Sequence, residues 1–139
     1  MKKLQRNNLS SPAIHGVGRR KSAVARVWLK KRGSGNIAIN GLDYGKYFDT
    51  QITRAMVGAP LRVVTEEKSF DIKVNVEGGG KVSQAEAARL GIARALLSLN
   101  ESFRQIFRKN NFLTVDDRIK ERKKYGQRGA RRKFQFVKR

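Results

Sequence analysis

Cysteine is absent from this chain of 139 residues, histidine occurs once, and acidic residues number only eleven. Without cysteine, the chain can hold neither a disulfide framework nor a cysteine-based metal site. The single histidine, His15, has no second ligand or nucleophile beside it, so we assign it no chemistry. No apolar run approaches the roughly 20 residues of a membrane-spanning helix. These deficits argue against metal-dependent, disulfide-stabilised and membrane-spanning proteins.

The patterns of nucleotide binding and catalysis are also missing. A phosphate loop requires G-x-x-x-x-G-K-S/T, whereas the run Gly80-Lys81-Val82 has valine at the last position. The dinucleotide pattern G-x-G-x-x-G fails because Ser83 stands where its third glycine belongs. The neighbouring carboxylates Glu66-Glu67 and Asp116-Asp117 lie in loop-like sequence, without the apolar setting that tunes a general acid. We therefore predict a protein that is not an enzyme and binds no cofactor and no metal.

Positive charge is abundant, +21 in total, and it is concentrated at the two ends of the chain. Residues 1–32 hold ten Lys/Arg and no acid, so this end carries +10. Residues 33–117 hold eleven Lys/Arg against ten acids and carry only +1. Residues 118–139 hold eleven Lys/Arg against one acid and again carry +10. Because like charges at this density repel one another, the distribution predicts a polyanionic partner.

The C-terminal stretch, residues 118–139, is predicted to have no fold of its own. No apolar set recurs there at helical or strand spacing, and Gly126 and Gly129 interrupt its middle. Fixing the backbone costs roughly 1–2 kcal/mol per residue, and this stretch buries too little apolar surface to offset that cost. We expect a polyanion to order it. Tyr125, Phe134 and Phe136 lie among its charges, where nucleobases could stack on them.

The near-neutral middle of the chain is predicted to form one small α+β domain with four strands and three or four helices. Residues 17–30 alternate as a strand and are expected to pair with residues 36–40 in a hairpin. Residues 61–64 are expected to pair with residues 70–76 in a second hairpin. The inward-facing residues predicted in these strands are Ala23, Ala25, Val27, Leu29, Phe70, Ile72, Val74 and Val76.

Helices are predicted between these strands and after them. Tyr44, Tyr47 and Phe48 recur at helical spacing, and a further short helix is expected from residue 51 until just before Pro60. The longest helix is predicted over residues 83–99. Ser83 and the glutamate three residues later form an S-x-x-E capping box at its start. Residues 101–110 are expected to form a last helix.

The predicted division is therefore residues 1–16 as a basic arm, residues 17–117 as the globular body and residues 118–139 as the tail. The arm is basic but lacks an apolar segment of signal-peptide length. A plain flexible arm is favoured over a fragment of an organelle-targeting segment. Arg20, Arg26 and Lys30 lie on the polar face of the first strand, with no acid near them in sequence. That absence favours a polyanion-binding face over an ordinary solvated one.

Three stretches resemble one known family, the ninth protein of the small ribosomal subunit in its bacterial or organellar form. The first is Gly18–Val27, the second runs from Val74 through the glycines to Leu96, and the third is Arg122–Arg139. Together they span nearly the whole chain. The resemblance implies the fold of the second domain of the fifth small-subunit ribosomal protein. In that fold a four-stranded sheet is packed by helices on one side.

The resemblance also implies a function and a set of partners. The chain would be a structural constituent of the small subunit, bound to ribosomal RNA in the head and touching neighbouring head proteins. Its tail would reach the peptidyl site, where Lys138 and Arg139 approach the anticodon stem-loop of the tRNA. No membrane partner is implied. The expected location is a ribosome in the bacterial cytoplasm, with plastid and mitochondrial ribosomes as alternatives.

Carrying the family's pattern onto this sequence gives a list of predicted ribosomal-RNA-binding residues. They are Arg19, Arg20, Lys21, Arg26, Arg118, Arg122, Lys123, Lys124, Tyr125, Arg128, Arg131, Arg132, Lys133 and Phe134. Two positions depart from the family. Val137 replaces a serine and removes a hydroxyl donor, and Ser83 replaces a glycine, which the predicted capping role would suit.

Two rival classes use the same charge. A histone-like protein that compacts DNA would show a similar distribution, and competition between structured RNA and duplex DNA would separate the two. A cationic membrane-active protein would need a basic amphipathic helix with a broad apolar face. The glycine-interrupted tail does not supply such a helix.

Overall fold

The computed structural model describes residues 13–64 and 70–136 of the chain. The described residues form strands, α-helices and one short 3-10 helix, which spans Glu101–Phe103. The strands are β1 (Ile14–Arg20), β2 (Ala23–Lys31), β3 (Ile37–Ile39), β4 (Leu42–Asp43) and β5 (Phe70–Glu77). The helices are α1 (Tyr44–Tyr47), α2 (Gln51–Val64), α3 (Lys81–Leu99) and α4 (Arg104–Lys109).

The strands in the described part of the chain form one mixed sheet in the order β1-β2-β5-β3-β4. Three of its pairings are antiparallel, and β3 pairs with β5 in parallel. Helices α2 and α3 cover one side of the sheet. The predicted α+β class, with helices on one side, is therefore confirmed. The sheet has five strands in place of the four predicted, because residues 17–30 divide between β1 and β2, residues 61–64 form no strand, and the two-residue strand β4 extends the edge.

The core lies between the sheet and these two helices. All eight strand residues predicted to face inward are buried. Helical spacing predicts an apolar stripe on α3 at Ala85, Ala88, Ile92, Leu96 and Leu99, and all but the partly buried Leu99 are buried. The period-two pattern predicts the strand faces correctly because each strand buries one face, whereas α3 is also buried outside its stripe, at Ala87, Leu90, Ala93 and Ala95.

Helix α3 lies directly on β1, and two strand glycines make this approach possible. A Cβ atom at Gly18 would collide with the carbonyl oxygen of Ala87, and one at Gly16 with the carbonyl oxygen of Gly91. Glycine has no Cβ atom and therefore allows another backbone to approach closely. The structure shows that the approaching backbone is that of α3.

Both predicted strand pairings were wrong. Residues 17–30 are not one strand, because the chain reverses at Lys21, whose φ of 53° lies in the left-handed region. That turn lacks the glycine or asparagine that usually marks a hairpin. In consequence β2 pairs with β1 and β5, and β3 pairs with β5 in parallel.

Residues 61–64 were predicted as a strand, but they form the last turn of α2. Pro60 lies inside this helix, which continues four residues beyond it. Pro60 and Leu61 are buried together with Val57 on the same helix. Packing of this apolar stripe therefore outweighs the hydrogen bond that a proline removes from a helix.

The predicted capping box at the start of α3 was also wrong. The helix begins at Lys81 with Gly80 at its N-cap, and no side chain caps it. Ser83 lies one turn inside and is buried. The connection before it is tight, because Gly78 and Gly79 adopt left-handed φ angles of 75° and 62°.

The aromatic residues after β4 belong to the core, as predicted. Phe48 is fully buried, and the Tyr47 hydroxyl donates a hydrogen bond to the side chain of Gln84 over 2.8 Å. The last helix is shorter than predicted and exposes Ile106, although Phe107 is buried. Strand β1 begins at Ile14, three residues before the predicted start of the body. Within the described ranges, no helix is long and apolar enough to cross a membrane.

Candidate nucleic-acid interface

The β1–β2 turn presents two cations to solvent. Arg19 and Lys21 are exposed, and neither side chain has a hydrogen-bond or ion-pair partner among the described residues. Antiparallel pairing of β1 with β2 fixes both at the same end of the sheet. Both side chains are therefore available to phosphate oxygens.

Arg20 differs from its two neighbours because its guanidinium is occupied within the protein. Its Nε lies 2.7 Å from a carboxylate oxygen of Glu86, and one Nη lies 3.0 Å from Asp116. The other Nη donates to the main-chain carbonyls of Asp116 and Arg118, each over 3.2 Å. Only 14% of its side chain is exposed. Arg20 therefore holds the base of the tail against the β1–β2 turn and α3.

Arg26 also has an acidic partner. Its guanidinium lies 2.6 Å from Glu77 on the neighbouring strand β5, and both side chains are more than half exposed. The absence of nearby acids in sequence thus misled the interpretation of this strand face. Each partner acid is distant along the chain and becomes a neighbour only through the fold.

A second set of polar contacts forms where the tail leaves the body. The carboxylate of Asp116 accepts hydrogen bonds from the main-chain N–H of Arg118 and from its guanidinium, the shortest over 2.8 Å. The side-chain bond from Arg118 is the main cause that holds the pKa of Asp116 well below its ordinary value. The same bond raises the pKa of Arg118.

The middle of the tail forms a small loop. Gln127 and Lys133 make an antiparallel bridge, and the N–H of Arg128 donates to the carbonyl of Arg132 over 2.9 Å. The guanidinium of Arg128 lies 5.4 Å from the centre of the Phe134 ring. The described tail thus has local contacts, while its ordering by RNA stays a prediction.

The tail's single acid lies beside this loop. Glu121 accepts from Lys124 over 2.7 Å and from Arg131 over 2.9 Å. The bond from Lys124, followed by that from Arg131, lowers the pKa of Glu121. Both pairs are exposed, so a phosphate can replace the carboxylate at little cost.

The remaining tail cations have no partner among the described residues. Their side chains are exposed: Lys120, Arg122, Lys123, Arg132 and Lys133. Tyr125 and Phe136 are 95% and 101% exposed, so both rings are open to stacking. Exposing an aromatic ring to water costs free energy. Exposed rings among unpartnered cations are typical of surfaces that contact nucleic acids.

The fold therefore brings the predicted cations of the β1–β2 turn close to the base of the tail. Arg20 joins the β1–β2 turn to the tail base, although about a hundred residues separate them in sequence. Val137, Lys138 and Arg139 lie outside the described residues. Glu86 and Asp116, which orient Arg20, were missed by sequence reasoning because nothing in the sequence links them to β1.

A near-neutral α+β body that carries free cations and open rings on an extended tail defines a structural nucleic-acid-binding protein. Comparison with known proteins identifies the kind. The family model described as ribosomal protein S9/S16 matches residues 18–139. The chain is 52% identical to the small ribosomal subunit protein uS9 of Cytophaga hutchinsonii over 126 residues, which cover 91% of this chain and 98% of the relative.

Two further relatives show the same likeness. The uS9 protein of Amoebophilus asiaticus is 50% identical over 91% of this chain and 98% of its own length. The uS9 protein of Borreliella burgdorferi is 46% identical over 98% of this chain and 100% of its own length. The chain belongs to the ribosomal protein S9 family.

This membership confirms the resemblance found in the sequence. The chain is a structural constituent of the small ribosomal subunit and acts in translation as part of a ribonucleoprotein, so it is not an enzyme. Its relatives are of the bacterial type, which indicates a ribosome in the cytoplasm. The histone-like and membrane-active alternatives are thereby set aside.

Proposed function

We propose that the body docks on ribosomal RNA of the small-subunit head, beside neighbouring head proteins, while the tail reaches the peptidyl site and stabilises the tRNA there. The observation that carries this proposal is the tail itself. Its free cations and exposed rings extend from a base that the body holds in place through Arg20. Exposed aromatic rings among cations provide surfaces on which nucleobases stack.

The residues proposed to bind ribosomal RNA divide by their present partners. Free cations bind phosphate directly: Arg19, Lys21, Arg122, Lys123, Arg132 and Lys133. Cations that are paired within the protein exchange their acidic partner for a phosphate or share it with one: Arg26, Arg118, Lys124 and Arg131. Arg128, Tyr125 and Phe134 supply stacking surfaces. Arg20 acts mainly by orienting the tail.

Binding follows from counterion release. Each phosphate that a cation neutralises frees condensed counterions, so the logarithm of affinity falls with the logarithm of salt by roughly 0.7–0.9 per contact. Arginine forks two phosphate oxygens, whereas lysine acts as a point charge. Binding to RNA supplies the free energy that orders the tail and fixes the direction in which the tail runs.

Lys138 and Arg139 form the proposed tRNA contact. Contacts to phosphate fix position without reading sequence. This property suits a site that accepts every tRNA in turn.

Small subunits assembled with a chain that lacks Lys138 and Arg139 test the proposal. We expect normal assembly and weaker retention of tRNA in the peptidyl site, measured by filter binding and toeprinting. The matched control replaces Arg108 and Lys109 on α4 by alanine, which removes the same two cationic side chains from the body. Unchanged tRNA affinity in the deletion, or an equal loss in the control, would refute the proposal.

A further inference from the structure

The side of the sheet opposite α2 and α3 carries a row of side chains that the proposed function leaves unused. Strand pairing aligns His15, Trp28, Lys73 and Ala38 across β1, β2, β5 and β3. These residues alternate with the buried ones, so they belong to the face that the helices leave uncovered. Trp28 is the only tryptophan of the chain and lies half-buried in the centre of this row.

A groove of about 590 Å³ runs beside Trp28 toward β3. It forms because Ala38 has almost no side chain at one end of the row, whereas Trp28 and Lys73 carry large ones beside it. Its volume falls within the roughly 300–1,000 Å³ of sites that hold small ligands. The groove can therefore hold one flat ring system the size of a nucleobase.

Among the described residues, one aromatic ring lies beside the indole of Trp28. The His15 and Trp28 rings lie 5.4 Å apart, centre to centre, with an angle of 53° between their planes. Among the described residues the indole N–H has no acceptor. The indole N–H faces an open groove, where an occupant that brings an acceptor can take up this donor in place of water.

Charge around the groove selects the chemistry of that occupant. Both acids of β5 on this face are satisfied internally: Asp71 accepts main-chain N–H groups of Ser34 and Asn36 over 2.7 and 3.2 Å, and Glu77 pairs with Arg26. Lys30 and Lys73, in contrast, have no partner in the described part of the chain. Asp71 also lines the groove, so two lysines stand against one carboxylate and leave a net charge of +1, which favours an anion.

We propose that this groove, lined by Trp28, Lys30, Lys73, Asn36 and Asn75, binds an unpaired RNA base and its phosphate. The base stacks on the indole, the two lysines take the adjoining phosphates, and the two amides face the polar base edge. This site lies on the face of the sheet that the helices leave open. It is separate from the contacts that hold the base of the tail. It rests on the proposed function because it requires ribosomal RNA beside the body.

Fluorescence tests the site in the full chain, since Trp28 alone emits as a tryptophan. We expect a single-stranded oligoribonucleotide to quench this emission and duplex RNA of equal length to quench it far less. Lys73→Ala should raise the concentration needed for half-quenching roughly threefold or more. Lys109→Ala removes an unpartnered lysine from α4, equal in charge, and should leave that concentration unchanged. Equal shifts in both variants, or equal quenching by both RNAs, would overturn the site.

A second measurement uses assembled small subunits. Ultraviolet cross-linking followed by mass spectrometry should give a nucleotide adduct on the peptide that contains Trp28. A cross-link from Lys30 or Lys73 to another protein would instead make this face a protein interface and overturn the site. Adducts on the tail without one at Trp28 would refute the groove alone, whereas no adduct on either would refute the proposed function as well.

Discussion

At the scale of single residues, Arg20 and Arg26 look alike in sequence but do different work in the fold. Arg20 is 14% exposed and joins four acceptors, whereas Arg26 is 52% exposed and has one acidic partner. Solvent screens an exposed pair and leaves it little net free energy. Breaking the hydrogen bonds of a largely buried arginine leaves polar groups unpaired, which costs far more free energy.

Replacing each arginine by alanine measures this difference. Arg20→Ala should lower the free energy of unfolding by about 1–3 kcal/mol, because Glu86 and two carbonyls lose their donor. Arg26→Ala should lower it by about 0–1 kcal/mol. Urea denaturation of the two variants measures both values. Equal losses would show that the Arg20 contacts do not hold the tail base in solution.

Acid titration tests the neighbouring carboxylate. The pKa of Asp116 lies below its ordinary value of 3.8, chiefly because the Arg118 side chain donates to it. A depressed folded-state pKa gives stabilisation that is complete above the unfolded value and lost as the pH falls through the folded one. The contact between Asp116 and Arg118 should therefore persist from neutral pH down to about pH 4.

Hydrogen exchange at the Arg118 amide reports on this contact, because that N–H donates to Asp116 over 3.1 Å. Its protection should be constant between about pH 7 and pH 4 after correction for intrinsic exchange. Asp116→Asn should lower the protection throughout that range. Release of the wild-type amide near pH 6 would contradict the expectation.

At the scale of elements, the packing of α3 on β1 depends on the absence of a side chain at Gly18. A Cβ atom there would collide with the main chain of α3, which cannot move without shifting the core. Gly18→Ala should lower the free energy of unfolding by about 1–3 kcal/mol, the usual cost of overpacking.

Gly80→Ala is the matched control for this substitution. A Cβ atom at Gly80 meets nothing within 4 Å, and this glycine also contacts α3, as its N-cap. Thermal or urea unfolding should show only a small change, within the cost of about 1 kcal/mol for alanine at an N-cap. Similar losses of unfolding free energy in the two variants would mean that the conformational freedom of glycine, and not close packing against α3, is what the fold requires at Gly18.

The inward faces of β2 and β5 could be predicted from sequence, because burial of one strand face repeats every two residues. The turn between β1 and β2, the helical conformation of residues 61–64 and the strand pairing could not. Partner choice depends on contacts distant in sequence. The turn at Lys21 carries no glycine to mark it, and Pro60 normally indicates a helix end. In both places tertiary packing outweighs the local preference.

The candidate site divides in the same way. Charge at the two ends predicted a polyanionic partner, because electrostatic attraction depends on composition more than on conformation. The separate role of Arg20 could not be predicted, since Glu86 and Asp116 approach it only in the fold. The groove beside Trp28 was missed for the same reason, as Trp28, Ala38 and Lys73, which line it, come from three different strands.

At the scale of the whole molecule, stability and charge reside in different parts of the chain. The buried apolar residues of the described ranges end at Phe112, before the tail begins. Residues 118–139 carry a net charge of +10. A chain that ends at residue 117 should therefore keep its fold while losing about half of the positive charge that attracts RNA.

Deleting residues 118–139 should leave one cooperative thermal transition, within several degrees of the full chain, because the hydrogen bonds that the body loses are those of Arg118 with Arg20 and Asp116. The salt dependence of its RNA affinity should become shallower, by roughly 0.7–0.9 for each phosphate contact removed. Deleting residues 1–12 is the control, since that segment carries only three Lys/Arg and should change the slope less. Loss of the cooperative transition in the first deletion would mean that the tail belongs to the core, and equal slopes in the two deletions would mean that its charges do not contact RNA.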